Sequence, residues 1–513
     1  MRHCTRRSRV PRSLLGAAYL LAIFSGRMSV AEEAPWVDRE RFPEAYSILT
    51  SDHIMFPGDV RDWPMKIDAK RQLFVDDYVV AEKEGLSRQF HQPEKCPGNP
   101  LMPGVPDAVL YDAEKGRFRM WYGGHYAVSD DGIHWTKPDV CPDGNWVLKG
   151  AGEVRGFIHN PDSRDRNRRY EVVAERRANE ETKEKGGFYV YRSSDGITWR
   201  QAFDEPILRR TYNHMQPGPF WAKGAGDTSI FQYDAALGKY TCSAKFNLYL
   251  PKEKFEALGI VQDGKPRVRL RTFMESADLV HWSSPRFLMF PDRYDEPDCQ
   301  LYGHLGYAYE SMWLGMIRVM HVLPRGFKQV DIKLAYSRDG RHWLRPAQRE
   351  PFIPLGGDDS WEADYSGYSK APPVLVGDEL WFYYFGACNP ARDNIDNWGF
   401  SIGLTKLRRD GFASFDAGEA AGRLVTRPLA YSGRKLFVNA DIAEGGWLKA
   451  ALLTREGEPM VSFTLDDAIA LTGNVTEGRV RWRTRERLMA SEGEHFRLLF
   501  ALKNAKLYSF WID

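Results

Sequence analysis

Cysteine is scarce in this 513-residue chain, with six in all and no Cys-x-x-Cys pair. Beyond Cys4, the remaining five (Cys96, Cys141, Cys242, Cys299 and Cys388) are scattered and odd in number. That pattern excludes a zinc ribbon and a disulfide framework. It leaves buried free thiols as the expectation, with room for one or two bridges in an oxidising compartment. The 12 histidines show no metal-ligand spacing, so no metal centre is expected. An excess of one charge is missing too: the formal net charge is +2, and the first 31 residues hold six arginines and no acid, so the remainder is slightly acidic. Nothing in this balance attracts nucleic acid or anionic lipid. Long apolar runs are confined to "LLGAAYLLAIF" (14–24), which follows the basic "MRHCTRRSRVPRS" and precedes the small-x-small "SVA" (29–31). Eleven residues are too few to span a bilayer, and the basic, apolar and small order is that of a secretory signal peptide over 1–31. The chain is therefore expected to be secreted or periplasmic, and free of the membrane after cleavage. An uncleaved anchor is the lesser alternative.

Aromatic residues, by contrast, are plentiful: 13% of the chain, with 16 Trp and 24 Tyr, which suits a β-protein or a carbohydrate binder. One phrase recurs, as "AVSDDGIHWTKP" (127–138), "YRSSDGITWRQA" (191–202), "MESADLVHWSSP" (274–285) and "AYSRDGRHWLRP" (335–346). Its tryptophans, Trp135, Trp199, Trp282 and Trp343, are 64, 83 and 61 residues apart. A degenerate fifth copy, "TKLRRDGFASF" (405–415), puts Phe415 72 residues further on. Such periods exceed a hairpin and suit a four-stranded antiparallel sheet, the blade of a propeller. In the phrase, Gly tolerates positive φ, Asp bonds the amides beyond it, and the aromatic tucks between neighbouring sheets. Each copy follows an apolar strand, a polar turn and an aromatic-rich strand, as in "DAVLY", "DAEKGR" and "FRMWYGG" (107–124).

The fold class read from this is all-β: a five-bladed β-propeller over 67–418, followed by a C-terminal β-sandwich over 419–513. A segment over 32–66 is expected to be extended. "RQLFVDDYVVAE" (71–82) alternates like a strand and is expected to complete the last blade, closing the ring. The one helical stretch, "PKEKFEALG" (251–259), reads as an insertion in the third blade.

A propeller points the starts of its inner strands into one funnel, so those positions are candidates for chemistry. They read Asp107, Arg155, Asp227, Glu296 with Asp298, and Glu362 with Asp364. Converging carboxylates suit glycosidic bond cleavage, because one can protonate the leaving oxygen while another acts as nucleophile or base. Asp107, Asp227, Glu296 and Asp298 are the catalytic candidates. Arg155, Glu362, Asp364, His125, His159, His214, Tyr302, His304 and Trp361 are the candidates for holding sugar. Trp121 and Tyr122 read as blade packing. No cofactor is expected, although a structural calcium in the funnel is left open, and the oligomeric state is not specified by sequence. "NVT" (474–476) is a glycosylation sequon, relevant only in a host that glycosylates.

With these features the chain resembles the five-bladed propeller glycosidases, glycosyl hydrolase families 32 and 43. The resemblance covers about residues 70–513 and lies more in architecture than in motif. It implies a hydrolase acting on a furanoside or related sugar. Asp107 in "PGVPDAV" would fall at the nucleophile, and Asp227 at the transition-state stabiliser, in a "GDT" that lacks the family's flanking Arg and Pro. Glu296 would be the acid, with Asp298 competing because "PDC" stands where the family has Cys directly. Two other readings stand beside it. One is a non-catalytic propeller that binds glycans. The other, ranked third, is a sialidase-like enzyme, since the recurring phrase resembles the Asp-box with one residue removed.

Overall fold

The computed structural model describes residues 64–179, 185–210, 224–249, 251–257, 267–323, 327–389, 398–489 and 494–513. The expected signal peptide over 1–31, nearly all of the 32–66 segment and His214 lie outside them. Among the described residues the chain is all-β, apart from the short helix Lys252–Ala257 and one 3-10 turn at Arg166–Arg168. The helix falls within the predicted helical stretch, between the hairpin strands Lys239–Tyr249 and Arg267–Ser276. Cys96, Cys141, Cys242 and Cys299 are free thiols, with Cys242 and Cys299 fully enclosed.

From residue 106 to residue 408 the strands fall into successive antiparallel units. The first is Pro106–Asp112, Arg117–Tyr122 and His125–Ser129. The second is built on Glu153–His159, Tyr170–Arg176 and Gly187–Ser193. The third joins Ile230–Asp234, Lys239–Tyr249, Arg267–Ser276 and Arg286–Met289. The fourth is Cys299–Tyr309, Met312–Val322 and Lys328–Ser337, and the next is Tyr365–Tyr368, Glu379–Ala387 and Ser401–Arg408. A single parallel pair, Val330 with Tyr365, joins these last two into one hydrogen-bonded sheet.

The recurring phrase explains how each unit ends. In the first copy Asp131 Oδ1 accepts from the amides of Ile133 and His134, both at 2.8 Å, and Ser129 Oγ accepts from Gly132 N at 2.8 Å. The same bonds recur at Ser193 and Asp195, at Ser276 and Asp278, and at Ser337 and Asp339. At Asp195 and Asp339 burial pushes the other way, but these bonds favour the ionised carboxylate and outweigh it, and the pKa values of all four aspartates are held low. For Asp131 the side-chain bond from His134 contributes most. The turn then needs a left-handed residue. Gly132, Gly196 and Gly340 supply it at φ +74°, +76° and +70°, but Leu279 occupies the same position at +72°.

These turns also join one unit to another. Trp121 Nε1 of the first unit donates to Gly196 O of the second at 2.6 Å, and Tyr383 Oη of the last donates to Gly132 O of the first at 2.8 Å. A Cβ at Gly196 would come within 2.6 Å of Trp121, so glycine is required there on two counts. The aromatic of the phrase packs as expected: Trp282 meets Phe231 edge-on at 5.6 Å, and Trp135 meets Tyr383 at 5.9 Å.

Two expectations are corrected. "RQLFVDDYVVAE" does not complete the last unit. Its Gln72–Leu73 pairs with Arg497–Ile512, and the Val80–Glu84 strand pairs with Gly422–Thr426. Closure comes from slightly later in the chain, where Glu94–Lys95 and Met102–Pro103 pair with Ser401–Arg408. The physical reason is burial: Phe74 and Val79 join the C-terminal core, whereas Met102, with Cys96 and Leu101, packs into the cluster formed by the first and last units. The degenerate fifth copy is likewise no Asp-turn. Asp410 spends its carboxylate on Arg71, Tyr309 and Ser509, and Phe415 lies in the C-terminal core.

That C-terminal sheet is organised around Arg497–Ile512. One edge pairs with Leu436–Leu453 along nearly its whole length, and the other meets Gly422–Thr426, Ala413–Ala417 and Gln72–Leu73 in turn. Register breaks between Ile442 and Trp447, around the glycine pair Gly445-Gly446, and the sheet bends there.

Candidate active site

A cavity of about 900 Å³ draws its wall from every unit. Val105 and Gly123 come from the first, Glu153, Arg155 and Glu175 from the second, and Asp227 and Thr228 from the loop before the third. Tyr302 and Arg318 come from the fourth, and Tyr365, Phe385 and Phe400 from the last. The wall carries both charged and aromatic side chains, and they meet: Lys245, the partner of Asp227, lies over the Tyr302 ring at 5.3 Å. That is the combination a sugar needs, because its C–H faces stack on rings while its hydroxyls seek hydrogen-bonding groups.

Asp227 is the best-defined acid on the wall. Burial alone would raise its pKa, but the Lys245 ammonium against Oδ1 outweighs that, with help from Arg155 and Arg210, and the carboxylate is held below its usual range. Lys245 experiences the reverse: burial dominates and brings it down to about 8 despite Asp227. The backbone beside Asp227 is strained, since Thr228 sits at φ +61°, where a β-branched residue is a genuine outlier. Three bonds hold it there. Thr228 Oγ1 donates to Tyr302 O at 2.7 Å, Arg271 Nη2 donates to Thr228 O at 3.2 Å, and Arg271 Nη1 donates to Tyr302 O at 3.0 Å. Arg271 is fully buried, and burial lowers it to about 10.

Next to Asp227, Arg155 grips two acids. Its Nε donates to Glu175 Oε2 at 2.7 Å, and its Nη1 and Nη2 meet the two oxygens of Glu153, each at 2.6 Å. Glu153 and Glu175 are cross-strand partners, which explains how one guanidinium reaches both. Arg210 also holds Glu175. The two acids differ in access: the Glu175 side chain is 3% exposed and that of Glu153 is 65% exposed.

Among the rings, Arg318 lies over the faces of Tyr302 and Tyr368, at 5.3 and 5.4 Å, and donates to Tyr365 Oη at 3.1 Å. Trp146 stacks on His125 at 5.3 Å, and its exposed ring contributes to the cavity wall.

Of the sequence candidates, Asp227, Arg155 and Tyr302 line this cavity, and His125 backs it through Trp146. The expected meeting of all the carboxylates there is corrected. Asp107 is 2% exposed, bonded to Lys370 Nζ at 2.6 Å and to Gly124 N at 3.1 Å. Glu296 is exposed on the turn before Cys299. Asp298 pairs with His321 at 3.4 Å, and His321 in turn lies 3.6 Å from Asp331. Glu362 pairs with Lys95 at 2.8 Å, and Asp364 accepts from Asn389 N at 2.8 Å. Trp361 packs on Tyr384, and His159 on Tyr170. His304 is buried edge-on to Trp343, and burial pushes it down to about 3, so it is a neutral core residue. The physical cause is alternation: a one-residue difference where a strand starts turns a side chain from the funnel into the sheet.

Sequence reasoning missed Glu153, Glu175, Arg210, Arg318 and Trp146. Arg318 left a trace, as the one charge inside the apolar "MWLGMIRVM" (312–320). Glu153 also left one, as an acid two residues from Arg155 at the start of the same strand. Among the described residues no group of three or more His, Cys, Asp or Glu side chains is placed to hold a metal ion.

No family model matches the chain, and no curated protein matches it. Among solved structures it is similar to glycoside hydrolases. A glycosyl hydrolase from Bacteroides ovatus is 14% identical, with 62% of this chain and 94% of that chain covered and a TM-score of 0.38. A thermostable family-43 glycoside hydrolase is 14% identical over 61% and 93%, with a TM-score of 0.37. The Bombyx mori GH32 beta-fructofuranosidase is 10% identical over 83% and 94%, with a TM-score of 0.33.

Proposed function

We propose that the successive units are the five blades of a propeller, that the bent C-terminal sheet folds over its own core as a sandwich, and that the protein is an exported glycoside hydrolase. The observation that carries the catalytic reading is Asp227: a carboxylate kept ionised by Lys245, on a backbone held in a strained conformation, on the wall of a cavity that aromatic side chains also line. In hydrolysis the glycosidic C–O bond breaks, its oxygen takes a proton, and the anomeric carbon takes hydroxyl from water. Asp227 serves the anomeric carbon, as base on water or as nucleophile. Glu153, the open carboxyl on the same wall, is the candidate acid: once Arg155 releases it, it takes a proton from water and passes that proton to the leaving oxygen.

A second reading, glycan binding without turnover, is favoured by one fact: each of the three wall carboxylates already has a basic partner. Reducing-sugar release from a panel of plant and algal polysaccharides separates the two. The hydrolase reading expects activity in the wild type, a loss of at least about 100-fold in Asp227→Asn, and azide rescue of Asp227→Ala if Asp227 is the nucleophile. Binding without release by the wild type overturns it.

A further inference from the structure

We infer that the glycan taken by this cavity carries an oxyanion, either the carboxylate of a uronic acid or a sulfate ester, and that Arg318 is its principal seat. The inference deepens the proposed function and rests on the same cavity. Among the described residues, five arginines, Arg155, Arg176, Arg177, Arg210 and Arg318, line the wall together with three carboxylates. The acids are concentrated at one end. Glu153 and Glu175 serve Arg155 and Arg210, and Asp227 is matched by Lys245.

Arg318 stands apart from these pairs. It is 8% exposed, has no carboxylate partner among the described residues, and its Nε finds no acceptor there. A guanidinium withdrawn from water without a counterion is costly, and tyrosine faces compensate only in part. Its planar fork, unlike an ammonium, matches the paired oxygens of a carboxylate or sulfate. Arg177, exposed on the same wall and also without an acidic partner among the described residues, supplies a second contact at the mouth. A neutral sugar would cover Arg318 and leave it unpaired, so the site discriminates against the uncharged glycan as well as favouring the acidic one.

The test is equilibrium binding by calorimetry to the full chain carrying Asp227→Asn, so that ligand is not consumed. The probes are an oligogalacturonate and its methyl ester, and a sulfated galactan oligosaccharide and its desulfated form. A preference of at least about tenfold for the charged member of either pair, weakening with salt and lost in Arg318→Gln, supports the inference, and the responding pair identifies the anion. Should Arg318→Gln fail to fold by near-ultraviolet circular dichroism, Arg177→Gln replaces it, with a loss of about threefold expected from an exposed contact. Charged and neutral members binding within twofold, no binding by any probe, or an undiminished preference in the arginine variant each overturn it. The hydrolase reading fails separately: acidic glycans bound but never cleaved by the wild type leave this inference standing, whereas a neutral glycan cleaved without acidic preference removes it alone.

Discussion

Leu279 occupies a position where its three counterparts are glycine, and the competing energies there give an unusual prediction. Its side chain is fully buried among Phe188, Val190 and Trp282. Its backbone is left-handed at φ +72°, and its carbonyl accepts from Trp282 Nε1 at 2.7 Å. A non-glycine residue in that region costs about 1–2 kcal/mol. Truncating a buried leucine costs about 2–5 kcal/mol through lost burial and the cavity left behind. Burial therefore outweighs strain, and both Leu279→Ala and Leu279→Gly destabilise. The usual order, alanine above glycine, should close or invert. Alanine retains the backbone penalty that glycine removes, and glycine's extra freedom in the unfolded chain offsets only about 0.5–1 kcal/mol of that gain. After a further loss of about 0.8 kcal/mol for the buried methyl that glycine lacks, Leu279→Gly should still match or exceed Leu279→Ala, by up to about 0.7 kcal/mol. Leu270, equally buried but in the regular strand Arg267–Ser276, is the control, where glycine should be worse than alanine. Urea unfolding followed by tryptophan fluorescence measures all four variants. If alanine is better than glycine by as much at 279 as at 270, the left-handed turn is not what sets this position, and the account of the recurring phrase fails.

Three further outcomes follow from the buried charges. Lys370→Met leaves Asp107 unpaired in the interior and should cost about 3–5 kcal/mol, with Asp107→Asn in the same chain restoring much of it; urea midpoints decide, and an additive pair would show that no ion pair exists. Lys245, brought down mainly by burial to about 8, should give activity an alkaline limb near that pH as it loses its proton and Asp227 loses its partner, and Lys245→Met should lack the limb. For His321, burial opposes the charge but Asp298 and Asp331 outweigh it and push it up to about 9. Its contribution to stability is therefore complete below about pH 6.5 and fades as pH rises through 9, so thermal melting should decline over that window in the wild type and less in His321→Asn.

What could be read in advance was what repeats locally. Ser129, Asp131, Gly132 and Trp135 lie within seven residues, so their spacing displays the turn directly, and four copies disclosed the recurring unit. The site was less legible because it is assembled by register. Asp107 and Asp227 look alike as acids ahead of apolar strands, yet the first turns into the sheet against Lys370, 263 residues away, and the second faces the cavity. Only the partner lysine distinguishes them, and pairings over such distances leave no periodic trace. Phe415 misled for a related reason. Its segment keeps the Asp-Gly of the turn but lacks the serine, and Arg71, far upstream, claims the aspartate.

The central place of Arg497–Ile512 in its sheet bears on how the molecule is made. Every strand it touches, including Gln72–Leu73, is synthesised earlier, so those segments must wait with open edges until it leaves the ribosome. Completion of that sheet thus waits for Arg497–Ile512, and a nascent chain stopped short of it would expose Phe74, Phe415 and Leu424 to whatever holdase escorts it.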